Sequence, residues 1–366
     1  MNKIQDADLE GKKVLLRADF NVAIKNGKVT EDFKIKACRE TLDYLLKNNC
    51  KIALCSHLGR PAAVKTSADK PEGQKNLEFS LEQIKDDVAQ GVGQKIVFVD
   101  DCIGEKVRVK LENTLPEEVL LLENVRFHEG EDPVKSDDSS DHGARKIHEN
   151  FSRKLAEPFD VFVNDAFSVC HRDQSSVTGV AKIIPSYAGF WLQKEIEEMD
   201  KVRGEVEVPA VAIIGGAKIE TKLPVIKFFE NIYDNVLVGG KIANEAIDQK
   251  IEFSEKVILP SDFVDDRLDI GPDSVEKYKE IIQNAKTIVW NGPMGKFEDE
   301  KYYKASKEIA DAIFLSDAYS VVGGGETVVI LEKENGMDKV DFVSTGGGAM
   351  LEYLSGNNLP GIEVLK

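Results

Sequence analysis

Residues 210–222 read AVAIIGGAKIETK, and this stretch decides the fold. Ala210 to Ile214 is an apolar run without polar alternation, the pattern of a parallel strand covered on both faces. Gly215-Gly216 ends the run, and a helical pattern from Ile219 to Asn231 follows, so the segment reads strand, tight turn, helix. The same order recurs along the chain. Strands are predicted in the first half at Val14–Phe20, Lys51–Ser56, Lys95–Asp100, Val119–Val125 and Val161–Ala166. In the second half they fall at Asn235–Gly239, Lys256–Pro260, Thr287–Asn291, Tyr319–Gly323 and Phe342–Thr345 as well as 210–215. Helix patterns at Lys34–Asn48, Ala144–Glu157, Ser274–Asn284 and Tyr303–Leu315 alternate with them. That alternation predicts doubly wound α/β sheets, and 366 residues is a length for two domains rather than one. The halves meet near Ile184-Pro185-Ser186, ahead of a helical pattern over Gln193–Val202.

Composition narrows the partners. Lys+Arg 48 against Asp+Glu 65 leaves a net charge of −17, which argues against nucleic acid or an anionic membrane as a partner. An acidic chain that binds anions must concentrate its positive charge locally. Cys38, Cys50, Cys55, Cys102 and Cys170 are odd in number and form no C-x-x-C pair, so a reduced, cytoplasmic setting is expected. The charges among the first twenty residues are not those of a signal peptide. No apolar run reaches the roughly 18–20 residues of a membrane span. The five histidines show no H-x-x-x-H spacing, which argues against a histidine metal site. Gly130–His142 and Lys65–Lys75 read as solvated loops.

Ligands of open α/β sheets sit at the carboxyl ends of the strands. In the second half those ends are Gly215-Gly216, Gly239-Gly240, Asn291-Gly292-Pro293, Gly323-Gly324-Gly325 and Gly346-Gly347-Gly348. One such pair is merely a tight turn. Five together predict phosphate or nucleotide binding, because glycine admits a close phosphate and a helix N-terminus attracts it. Lys218 and Lys222 lie four apart at a helix start, an unfavourable place for a cation unless it serves an anion. Neither G-x-x-x-x-G-K-[ST] nor G-x-G-x-x-G is present. In the first half, Arg60, Arg126 and Arg172 follow strands beside Asn, Asp or His, and their planar forks suit a small acid carrying carboxylate and phosphate. Arg17 falls inside a strand, where a structural ion pair is expected.

Taken in order, Val14–Val22, Ser56–Pro61, Leu121–His128, Val163–Phe167 with His171-Arg172, Gly215–Lys218, Leu268–Pro272, Trp290–Gly295, Gly323–Gly325 and Ser344–Ala349 resemble the phosphoglycerate kinase family over nearly the whole chain. The resemblance implies two Rossmann-like domains with parallel central sheets facing each other across a cleft. It implies reversible phosphoryl transfer between 1,3-bisphosphoglycerate and ADP, giving 3-phosphoglycerate and ATP with Mg²⁺. No heptad or long exposed apolar stripe asks for a partner chain, so a monomer without nucleic-acid or membrane partners is expected. The implied domains are 1–184, holding 3-phosphoglycerate with the tail 357–366 packed on it, a connecting helix and hinge over 185–202, and a nucleotide domain over 203–356. Asp19, Asn21, Lys34, His57, Arg60, Arg126 and Arg172 would hold the acid. Gly215, Lys218, Lys222, Gly239, Asn291, Pro293, Glu298, Gly325, Glu326 and Thr327 would serve the nucleotide, Glu298 at the ribose and Glu326 at the metal. Lys34, Lys218, Lys222, Gly347 and Gly348 would act on the migrating phosphoryl group.

The chain also departs from the family pattern. Asp32-Phe33-Lys34-Ile35 carries a lysine where the family has arginine, and Glu326 replaces the aspartate of Gly-Gly-Gly-Asp. Lys241, Arg267 and Lys296 replace small residues on the adenine side, and a stretch between Asp262 and Leu268 is shortened. These changes define two alternatives to an active kinase: a weak relative that holds 3-phosphoglycerate but handles nucleotide poorly, and an enzyme using another phosphoryl donor.

Overall fold

A computed structural model describes residues 1–25, 27–61, 77–132, 142–204 and 206–366. The Lys65–Lys75 loop reading lies outside the described residues, as does most of Gly130–His142. The chain divides into two compact units, Met1–Lys194 with Leu359–Lys366, and Glu195–Asn358.

The first unit holds six parallel strands, β1 (Lys13–Arg17), β2 (Lys51–Cys55), β3 (Lys95–Val99), β4 (Glu118–Leu122), β5 (Val161–Asn164) and β6 (Ser186–Ala188). Their order across the sheet is β3-β4-β2-β1-β5-β6. Strand residues alternate between two cores. Val14, Leu16, Ile52, Leu54, Leu121 and Val163 face one, while Leu15, Ala53, Cys55, Leu120, Leu122 and Phe162 face the other. A period of two over residues that are all apolar gives the unbroken runs seen in the sequence. Helices α1 (Phe33–Ala37), α2 (Arg39–Lys47), α3 (Lys85–Val92), α4 (Glu105–Glu112) and α5 (His142–Ala156) connect the strands.

Two local readings change. The single helix predicted over Lys34–Asn48 is broken at Cys38, which ends α1 and precedes α2. β6 is a strand where the sequence showed only a junction; three residues, one of them Ser186, give too little periodicity to detect. Leu359–Lys366, including α13 (Pro360–Glu363), lies in this unit, with Asn2 N–H donating to Leu365 O at 2.6 Å and Gly361 N–H to Cys170 O at 2.9 Å.

The second unit repeats the scheme with β7 (Ala210–Ile214), β8 (Asn235–Val238), β9 (Val257–Ile258), β10 (Thr287–Asn291), β11 (Tyr319–Gly323) and β12 (Phe342–Ser344). The order is β9-β8-β7-β10-β11-β12, all parallel. Counted within the unit this is 3-2-1-4-5-6, the arrangement that binds ligands where the winding reverses. Helices α7 (Ile219–Ile232), α8 (Gly240–Asp248), α9 (Pro272–Gln283), α10 (Lys304–Phe314), α11 (Gly325–Lys333) and α12 (Gly347–Leu354) complete it. The boundary between the units falls inside α6 (Phe190–Arg203).

Candidate functional site

In the second unit the winding reverses between β7 and β10, whose ends pair at Ile214 and Asn291. A cavity of about 520 Å³ opens there, lined by Lys218, Lys222, Asn291, Gly325, Glu326, Thr327, Gly347 and Gly348 among others. The first residues of α11 and α12 and the turn that starts α7 all reach it; the N–H groups that open α11 and α12 converge on one space, while the first N–H of α7 is taken by Glu245 at 2.8 Å. Two glycines make that convergence possible. Gly324 adopts φ +104, and a Cβ on Gly347 would lie 2.7 Å from the Gly324 Cα; any side chain would drive the two turns apart.

Lys222 is largely withdrawn from solvent, and its ammonium donates to Asn291 Oδ1. Burial brings its pKa down to about 8, with Glu326 pulling the other way. Neither Lys218 nor Lys222 has a carboxylate ion-pair partner among the described residues. Two cations without counter-ions beside convergent N–H groups form a site for an anion. The Thr327 hydroxyl accepts the Gly292 N–H at 2.7 Å and so braces the loop after β10. Gly215 and Gly239 are buried and line neither this cavity nor the one beside it; a Cβ on Gly215 would strike Pro293 O, and one on Gly239 would lie 2.6 Å from Met294 Sδ.

A second cavity of about 400 Å³ shares Gly216, Ala217 and Glu326 with the first and is walled by Lys241, Arg267, Leu268, Pro293, Lys296 and Glu298. The long cations do not fill it. Arg267 is tied back to Asp248 at 2.7 Å and lies over the Phe263 ring, while Lys241 pairs with Glu245 at 3.6 Å. The shortened connection forms a ribbon of Phe263–Val264 with Asp269–Ile270, closed by Asp265, Asp266 and Arg267 at φ 33, 23 and 62. Partial desolvation and the nearby Glu298 push the Glu326 carboxyl above its usual range, and Lys222 opposes them. Glu326 has no hydrogen-bond or ion-pair partner among the described residues.

In the first unit the sequence-predicted residues fall into two linked groups. Asp19 accepts from Ser168 Oγ at 2.6 Å and from the Asn21 N–H at 3.0 Å, and pairs with Lys34 at 3.1 Å. Burial alone would raise its carboxyl; Lys34, His57, Ser168 and the Asn21 N–H outweigh it and hold the group well below the carboxylate range. His57 is buried, its pKa held well down by burial and then by Arg17. The other group is Arg60, Arg126 and Arg172, which line a cavity of about 260 Å³ with His128, Glu129 and Asp132. Burial, then Arg172 and Arg17, lowers Arg126 to about 10, with Asp132 and Glu131 opposing, as expected where guanidinium groups are gathered together. The Gly59 peptide joins the groups: its N–H donates to Asn21 Oδ1 at 2.8 Å and its carbonyl accepts from Arg126 at 2.6 Å.

Arg17 corrects the expectation of a direct ion pair. It is fully buried in β1 and bonds Ser176 Oγ at 3.0 Å and His57 Nδ1 at 3.2 Å. Ser176 passes the link on to Glu131 at 2.6 Å, so a hydroxyl stands between the charges. Ser168 and Gly59 were not singled out by sequence; the only signal each gave was its place just after a strand.

Comparison with known proteins bears on both groups. The phosphoglycerate kinase family model matches residues 4–261 and 246–357. The phosphoglycerate kinase of Finegoldia magna is 36% identical over 415 positions, covering 100% of this chain and 99% of its own. That of Borrelia hermsii is 34% identical over 409 positions, covering 99% and 98%. The first alignment is longer than the 366 residues here, so that relative carries stretches this chain lacks. Among solved structures, the phosphoglycerate kinase of Pyrococcus horikoshii OT3 superposes with a TM-score of 0.84 at 30% identity, covering 100% of this chain and 98% of its own. The enzyme of Coxiella burnetii gives 0.76 at 30%, covering 99% and 98%.

Proposed function

The chain belongs to the phosphoglycerate kinase family, phosphotransferases with a carboxyl-group acceptor, and from that premise we propose how its residues divide the work. The reaction is the reversible transfer of a phosphoryl group between 1,3-bisphosphoglycerate and ADP, giving 3-phosphoglycerate and ATP. Such transfer depends on positioning and charge neutralisation more than on covalent chemistry. The observation that carries the assignment is a pair of cation sets without carboxylate ion-pair partners among the described residues: Lys218 and Lys222 in one unit, Arg60 and Arg126 in the other.

Arg60, Arg126 and Arg172 hold the phosphate of the acid, whose two negative charges match their forks. Asp19 is negative and already engaged, so it acts through Lys34, holding that ammonium for the transferring group, while Asn21 and His57 complete the wall. In the second unit Lys218, Lys222 and the N–H groups of Gly325, Gly347 and Gly348 take the nucleotide phosphates. The 400 Å³ cavity takes base and ribose, with Glu298 near the sugar hydroxyls. Glu326 suits Mg²⁺: it is a hard oxygen donor without a hydrogen-bond or ion-pair partner among the described residues, placed beside the phosphate cavity. Bound there with the nucleotide, the ion would offset phosphate charge. Residues 1–184 with 357–366, and 203–356, are assigned as the acid and nucleotide domains, with 185–202 connecting them; five buried free cysteines support a reducing, cytoplasmic setting.

A coupled assay of ATP-dependent 3-phosphoglycerate phosphorylation tests the activity, with turnover expected. No turnover at high enzyme concentration would overturn it. Calorimetry with each ligand alone separates the assignments, since acid binding without nucleotide binding would refute the second-unit roles.

A further inference from the structure

The turn after β3 carries Asp101-Cys102, and the short turn after β4 ends at His128. One ligand atom from each of Asp101, Cys102 and His128 lies within 4.8 Å of the other two. We propose that these three side chains bind a divalent, borderline-soft metal ion, Zn²⁺ being the ion their thiolate, imidazole and carboxylate donors suit. Donors at about 2.0–2.3 Å from a tetrahedral ion stand roughly 3.3–3.8 Å apart, so closure needs only a contraction of about 1 Å by side-chain rotation.

The surroundings hold the donors in place. Asp101 Oδ1 accepts the Cys102 N–H at 2.7 Å and the Ile103 N–H at 3.4 Å, which fixes the carboxylate, and Oδ2 has no hydrogen-bond partner among the described residues. The His128 ring stacks on Phe151 at 4.9 Å between centroids, and its Nε2 already points at Asp101 Oδ1, 2.9 Å away. His128 and Asp101 are 31% and 40% exposed, whereas Cys102 lies beneath them at 1%. An ion thus reaches the thiol past two ligands that solvent already wets. A histidine–aspartate hydrogen bond alone accounts for two of these residues and leaves the sulfur between them without a role.

Binding breaks the Cys102 Sγ–H bond and forms an Sγ–metal bond; the proton goes to solvent and no oxidation state changes. A cysteine thiol ordinarily carries its proton at neutral pH and binds a metal only as the thiolate. One proton is therefore released for each ion bound. The proposal is independent of the catalytic assignment, because it is read from metal binding and not from turnover.

Metal-free protein titrated with Co²⁺ as a probe for Zn²⁺ tests it. The expected result is one Co²⁺ per chain, a thiolate-to-cobalt charge-transfer band, one proton released, and displacement by equimolar Zn²⁺. Cys102→Ser abolishes the band, and His128→Gln weakens Co²⁺ binding at least tenfold. Cys102 is a core residue, so the exposed-side His128→Gln variant keeps the test valid if the serine variant does not fold. Absence of the band in the wild-type protein overturns the proposal. So does a band that survives Cys102→Ser, which would place the ion at another thiol, or a Co²⁺ affinity unchanged by His128→Gln, which would remove the imidazole from the site.

Discussion

Replacing Lys222 by methionine should raise the stability of the ligand-free protein while lowering its affinity for ADP. A lysine whose pKa falls from 10.5 to about 8 on folding binds its proton more tightly in the unfolded chain. Stability then rises with pH between those values, and at pH 7 the buried charge costs on the order of 3 kcal/mol. Methionine fills a similar stem volume and removes that cost. It also strands Asn291 Oδ1, which accepts from the ammonium, at about 1 kcal/mol. The desolvation effect is the larger, so a net gain of about 1–2 kcal/mol is expected by urea denaturation at pH 7. A charged hydrogen bond to phosphate contributes about 1.5–3 kcal/mol, so calorimetry should show ADP binding roughly 10–100-fold weaker. In the wild-type protein, ADP affinity should be insensitive to this group below pH 8 and fall by up to about tenfold per pH unit above it. A variant that is less stable and binds ADP normally would show that Lys222 serves only to brace Asn291, and the phosphate assignment would be wrong.

Lys34→Arg restores a planar fork at a position paired with Asp19 at 3.1 Å, and should raise kcat by about 10-fold or more; an unchanged or slower rate would remove Lys34 from the transferring group. Arg126→Ala should raise the KM for 3-phosphoglycerate about 10–100-fold with ADP binding unaltered, whereas equal losses for both ligands would indicate a folding defect, measurable as a lowered melting temperature. Gly347→Ala places a methyl group 2.7 Å from the Gly324 Cα and should depress kcat at least about tenfold at a stability cost of about 1–3 kcal/mol; wild-type turnover would show that these turns do not handle the phosphoryl group. Asp165 is buried with its pKa raised to about 6 by burial, so the folded state holds its proton more tightly and stability is lost as pH rises from about 4 to 6. Asp165→Asn should flatten that part of the stability curve, and an unchanged curve would assign the slope to other groups.

How far the sequence disclosed this molecule depends on which physical constraint each residue answers to. Strands such as Ala210–Ile214 were legible because burial on both faces leaves an unmistakable apolar run. Ser186–Ala188 was not, since three residues under one partner strand satisfy no pattern. The strand order was hidden, because adjacency of β7 and β10 is set by long-range pairing that no local window records. The positions that the cavities expose were visible as residue types standing just past strands, but their partners were not. Arg17 shows why: a buried guanidinium in a strand suggests a carboxylate, and only the fold reveals that Ser176 intervenes before Glu131.

Arg267 and Lys241 bear the same lesson for the nucleotide side. Read along the chain, long cations replacing small residues look like plugs in a base slot. Their charges, however, have carboxylates within reach on α8, and an ion pair draws a flexible side chain outward at little cost when both groups stay wet. Asp248 and Glu245, both on α8, supply those partners. These two of the three substitutions thus come with their own counter-ions, and the 400 Å³ space persists beside them. What a substitution does to a pocket is decided by where its charge is neutralised, and that is a property of the helix beside the pocket as much as of the residue in its wall.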